Sequence, residues 1–114
     1  MKYKALFQLN TAAPTSGKTA LRQINNALDA LQPEVLIQLV VHGEGLAWVL
    51  RDDTPFASQL LELYHKGVKI VVCQNSLASR QITDEEVLPF VQVVPSAVAY
   101  LIQHQQEGWS YLKV

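Results

Sequence analysis

Two hydrophobic periods alternate along the 114 residues of this chain. Residues 3–9 read as a strand that runs out into the turn-prone stretch Asn10-Thr11-Ala12-Ala13-Pro14. After it, Ala20, Leu21, Ile24, Ala27, Leu28 and Leu31 recur at the i, i+3, i+4, i+7 spacing of one buried helical stripe. Thr15 or Ser16 is expected to cap that helix and Pro33 to close it. Residues 34–41 are almost continuously apolar and rich in Val, Ile and Leu, the pattern of a parallel strand covered on both faces. His42-Gly43-Glu44-Gly45 ends that strand, and a short apolar segment, 46–50, follows.

The second half repeats the alternation. Thr54-Pro55 predicts an N-cap with proline at the first helical position, and Phe56, Ala57, Leu60, Leu61 and Tyr64 are expected to line one helical face. Gly67 stops the helix, and the strand 68–72 begins at once and closes on Cys73. Thr83-Asp84-Glu85-Glu86 has capping-box spacing, but Pro89 confines any helix there to little more than one turn. A fourth strand is expected over 90–94, a helix opened by Pro95-Ser96 and ended by Gly108, and a fifth strand over 109–114. Strands alternating with helices call for crossover connections, hence an α/β sandwich with a mostly parallel sheet, in one domain spanning 1–114.

Composition narrows the function classes. Hydrophobic residues are 49% and charged residues 17% of the chain, enough apolar surface for a core without disulfides. The net charge is −1 with no run of like charge, so the footprint that holds a phosphate backbone is missing and nucleic acid is not an expected partner. The longest apolar run, 35–41, is broken by Gln38 and falls far short of the roughly 20 residues of a membrane span. The start, Met1-Lys2-Tyr3-Lys4, interrupts its apolar stretch too early for a signal peptide, and one cysteine allows no internal bridge. The expectation is a cytoplasmic protein.

Ligand sites in open α/β sheets gather at the carboxyl ends of the strands. Those ends carry Asn10, then His42 with Gly43, Glu44 and Gly45, then Cys73 with Asn75 and Ser76, and finally Ser96. Cys73 stands where a strand passes into a helix start, whose unpaired N–H groups stabilise a thiolate and lower its pKa. The alternative is a small buried hydrophobe. Arg80 could add positive charge, and His42 could pair with the thiol if the second and third strands are neighbours. Asn10, Gly43, Glu44, Asn75, Ser76 and Ser96 are pocket candidates, with a glycine-rich turn and a solvated carboxylate as the plain reading of 43–45. Trp48 and Tyr64 read as core or interface, and His65 and His104 as solvent-facing.

Other chemistries fit less well. Ala12-Ala13-Pro14-Thr15-Ser16-Gly17-Lys18-Thr19 approaches a phosphate-binding loop, but the first required glycine is Ala12 and Pro14 lacks a donor N–H. One cysteine and three scattered histidines offer no metal-ligand spacing, so neither metal nor organic cofactor is expected. No strand leads into a G-x-S-x-G elbow.

Four ordered stretches carry a resemblance: Val40-Val41-His42-Gly43-Glu44-Gly45; residues 67–77 around Val72-Cys73-Gln74-Asn75-Ser76; Val93-Val94-Pro95-Ser96-Ala97-Val98; and the ending Gly108-Trp109-Ser110-Tyr111-Leu112-Lys113. Together they resemble the DsrE/DsrF-like proteins, in particular a single-cysteine branch. The resemblance implies a three-layer α/β/α domain, a five-stranded sheet in the order 4-3-2-1-5, and homo-oligomers, trimers or hexamers. It also implies that Cys73 matches the cysteine on which better-studied relatives carry persulfide sulfur, exchanged with donor or acceptor proteins. The resulting expectation is a sulfur carrier or sulfurtransferase-like protein. The rivals are a non-enzymatic oligomeric small-molecule binder in which Cys73 only packs, and a thiol redox sensor.

Overall fold

The computed structural model describes residues 2–114. Five strands, β1 (Tyr3–Leu9), β2 (Val35–Val41), β3 (Lys69–Cys73), β4 (Gln92–Val94) and β5 (Ser110–Lys113), form one sheet in the order β4-β3-β2-β1-β5. Every neighbouring pair is parallel, so the sheet is wholly rather than mostly parallel. The helices are α1 (Pro14–Leu31), α2 (Ala57–His65), α3 (Gln74–Ser79) and α4 (Ala97–Gln106), with a 3-10 helix at Gly43–Val49 and a short one at Asp84–Glu86. This is the three-layer α/β/α architecture with the expected strand order.

The pleat divides the sheet's side chains. Phe7, Leu9, Ile37, Leu39, Val41, Ile70 and Val72 share a large cluster with Ala20, Ile24 and Leu28 of α1 and Leu60 and Leu63 of α2. On the opposite face Leu6, Val40, Val71, Cys73 and Val94 pack against Ala97 and Leu101 of α4. Segment 46–50 belongs to the first face: Leu46, Trp48 and Val49 are buried in the larger cluster. It therefore does not cover Cys73.

Several local expectations change. Helix α1 starts at Pro14 with Ala13 as its N-cap and no side-chain cap bond, so Thr15 and Ser16 lie inside the first turn. Proline's fixed φ and missing donor suit that position without a capping side chain. Helix α2 starts at Ala57, because Thr54 Oγ1 accepts the Phe56 N–H at 3.1 Å and holds Pro55-Phe56 as a turn ahead of it. Its buried face is Leu60 and Leu63, while Leu61 and Tyr64 are exposed. The fourth strand is only Gln92–Val94, since the Val91 N–H bonds back to Leu88 O at 3.3 Å and keeps Phe90 in a turn. The fifth is likewise trimmed to Ser110–Lys113.

Gly67 does end α2 with a positive φ of 94°, and the Thr83 N–H donates to Glu86 Oε1 at 3.1 Å as the capping-box spacing predicts. Among the described residues no helix is long and apolar enough to cross a membrane.

Candidate functional site at the end of the third strand

Cys73 is the last residue of β3 and the N-cap of α3, as its place in the sequence implies. Its side chain points to the α4 face and is 5% exposed. The Ala97 N–H, first in α4, donates to Sγ at 3.3 Å. That contact exists because β3 and β4 are paired with Cys73 opposite Val94, which brings the start of α4 over the thiol. The Asn75 N–H also bonds to Pro95 O at 3.3 Å and ties the two turns together.

Burial pushes the Cys73 thiol up, and the donors around it outweigh that push. The Ala97 N–H, which makes the hydrogen bond to Sγ, and the nearby Ser76 N–H and hydroxyl and Asn75 N–H at the start of α3, which form no cap bond to the sulfur, together leave its pKa below the ordinary value. Arg80 takes no part: it is the exposed C-cap at the far end of α3. Neutral donors, and not the expected Arg80 cation, supply the stabilisation.

Gly43-Glu44-Gly45 opens the 3-10 helix beside this turn. Gly43 has φ 58°, and its N–H donates to Ser76 Oγ at 3.0 Å, joining the end of β2 to α3. Gly45 is required by close approach, because a Cβ there would stand 2.4 Å from Leu9 O. The two glycines thus let the β2 loop fold tightly against the ends of β1 and β3. Glu44 is exposed, and Asn10 is half-buried with its backbone against Gly43 and Gly45.

His42 differs from expectation. It follows Val41 in extended conformation, φ −154° and ψ 175°, one position beyond the pair Val41 and Val72, so it and Cys73 continue adjacent strands on one face. Its Nε2, however, lies 2.7 Å from Gln8 Nε2 on the other neighbouring strand. The imidazole is thus engaged with β1, not with the thiol. Burial lowers its pKa below the usual histidine value.

Ser96 is the N-cap of α4, its Oγ accepting the Ala99 N–H at 3.2 Å, so its effect on the site runs through the helix start. The structure therefore sets the Ala97 N–H on the Cys73 sulfur with Asn75 and Ser76 in the adjoining turn, links Gly43 through Ser76, and leaves Glu44 outward.

The polar residues missed in the sequence lie in the strands. Gln8 accepts the Tyr111 hydroxyl, and the buried Gln38 accepts the Tyr100 hydroxyl. Their signal was present as alternation: Leu6 then Gln8, and Gln38, Val40, then His42, put polar groups on the α4 face. His104 is half-buried rather than solvent-facing, stacked on Tyr100 with ring centroids 3.9 Å apart.

The near-phosphate loop has a packing role. A Cβ at Gly17 would come within 2.9 Å of Phe56 and 3.0 Å of Trp48, so this glycine admits the two rings against α1. Trp48 Nε1 then donates to Thr11 O at 2.7 Å. The remaining void there, about 10 Å³ and apolar, lies on the α1 side, away from Cys73.

The family model of the DsrE/DsrF-like family matches residues 3–114. The chain belongs to the DsrE/DsrF-like family. This family is associated with sulfur relay and transfer. Among solved structures, this DsrE/DsrF-like chain is similar to the protein of unknown function MTH1491 from Methanobacterium thermoautotrophicum, with 25% identity, 98% of this chain and 99% of that one covered, and a TM-score of 0.94. It shares its fold with the ychN protein from E. coli, at 16% identity, full coverage of both chains and a TM-score of 0.77. The same holds for the protein BT1422 from Bacteroides thetaiotaomicron, at 17% identity, 97% and 94% coverage and a TM-score of 0.72. No curated protein matches the chain.

Proposed function

We propose that this protein is a sulfur carrier, sulfurtransferase-like in its chemistry, with the Cys73 thiolate as acceptor of sulfane sulfur. The observation that carries the reading is the Ala97 N–H held 3.3 Å from Sγ, on top of the α3 donors that favour the thiolate. In the step, Cys73 S⁻ attacks the terminal sulfur of a persulfide R–S–SH. The donor's S–S bond breaks, R–S⁻ leaves with the electron pair, and Cys73–S–SH forms, so no oxidant or cofactor is consumed. A second thiolate takes the outer sulfur by the same exchange. The same N–H groups that hold the thiolate suit the anionic persulfide.

The reading extends to a cytoplasmic setting, where reducing conditions keep a lone thiol free, and to a homo-oligomer, trimer or hexamer, that meets a donor or acceptor protein. Val98 and Ile102, 60% and 55% exposed on α4 next to Ala97, support self-association; sedimentation measures it.

Incubation with a sulfane donor should add one sulfur atom to the intact mass, removable by dithiothreitol and absent in Cys73→Ala. A native protein whose mass does not change under those conditions contradicts the proposal. The 5% exposure of Cys73 favours a second reading, in which the thiol is inert packing beside a small-molecule site. That reading requires slow alkylation at all pH values. The redox-sensor alternative requires sulfenic acid or an intersubunit disulfide after peroxide.

A further inference from the structure

Gln8 and Tyr111 stand on the α4 face of the sheet, on strands β1 and β5 that pair in parallel, with Tyr111 opposite Leu6. The Tyr111 hydroxyl donates to Gln8 Oε1, which turns the amide nitrogen toward His42. An amide NH2 can only donate, and it lies 2.7 Å from His42 Nε2, so that ring nitrogen must be the bare, accepting one. The ring proton then sits on Nδ1, for which the described residues offer no hydrogen-bond partner. Burial also holds the ring in its neutral form.

We infer that Gln8 and Tyr111 are positioning residues that hold His42 as the neutral Nδ1–H tautomer, a hydrogen-bond donor to the anionic sulfur handled at Cys73 and not the base that deprotonates the thiol. The ligand class, a persulfide or other anionic sulfane species, rests on the sulfur-carrier reading. A base needs a free lone pair, and the Nε2 pair is occupied by Gln8. Cys73 already has the Ala97 N–H as a direct donor, with the start of α3 beside it, so thiolate formation does not depend on the imidazole. Position supplies the other half of the argument, since His42 and Cys73 continue neighbouring strands on the same face. As negative charge moves from Sγ to the departing sulfur, a fixed neutral N–H can follow it without transferring its proton.

Long-range nitrogen–proton NMR correlation on the native protein tests the assignment, with the His42 signals identified by their loss in His42→Asn. The expected spectrum has Nδ1 protonated and Nε2 bare. Gln8→Glu replaces the donor with a carboxylate that only accepts, so it should move the proton to Nε2 and slow sulfur loading from glutathione persulfide about ten- to hundredfold, the weight of one hydrogen bond to a charged group. Tyr111→Phe frees the amide to rotate and should give a mixture of tautomers. A native Nε2–H form in a protein that loads sulfur overturns this inference alone, as does Gln8→Glu loading at the native rate with its tautomer inverted. A native Nδ1–H form in a protein that takes no sulfur overturns the sulfur reading, and with it the ligand class, while the positioning by Gln8 and Tyr111 stands.

Discussion

Among the described residues, twenty buried apolar ones form one cluster on the α1–α2 side of the sheet, whereas the α4 side holds seven, and one of those seven is Cys73. Helices α1 and α2, Leu77 of α3 and the 3-10 segment cover the first face, while the ten-residue α4 crosses the second. Polar strand residues follow the thin side: Gln8, Gln38, His42 and Tyr111 all lie there. Burying an amide or imidazole in the thick layer would cost several kcal/mol without a partner, but beside α4 each finds one. Stability and chemistry are thus separated onto opposite faces of the same strands.

If that separation holds, truncation on the thick face should cost most and leave the thiol unchanged. Ile24→Ala should lower unfolding free energy by about 2–5 kcal/mol in urea titrations, with Cys73 alkylation of the folded protein as in the wild type. Gly17→Ala, which sets a methyl against Trp48 and Phe56, should cost about 1–3 kcal/mol by overpacking and likewise spare the thiol. A thick-face variant that altered the thiol's pH dependence would break the comparison.

The thick face was also the legible one. Its strands and α1 follow from simple periodicity, because apolar side chains that meet only other apolar side chains leave an unmixed pattern. The strand-end rule found Cys73, Asn75 and Ser76 for the same reason: topology alone brings them together. The partner of His42 was not legible. His42 has a neighbouring strand on each side, and only side-chain geometry shows that its ring bonds to Gln8 of β1 and not to the adjacent cysteine. Helix starts were misread where proline or a turn replaced the side-chain cap, as at Pro14 and Phe56.

The thin face should show the converse. Ser96→Ala removes the N-cap of α4, with a loss of about 1 kcal/mol in stability. It should also raise the pH at which Cys73 becomes reactive, since the Ala97 N–H is the first donor of that helix. Linkage gives the matching sign: a thiol lowered in the folded state contributes stability above its ordinary value near 8.5, lost as pH falls through the folded value.

The central claim is that neutral N–H donors on the thin face make Cys73 a thiolate carrier. The rate of iodoacetamide alkylation of the native protein, followed by intact mass across pH, measures it directly. The account predicts a single modified residue and a midpoint below about 8.5. Slow alkylation with a midpoint at or above that value would contradict it.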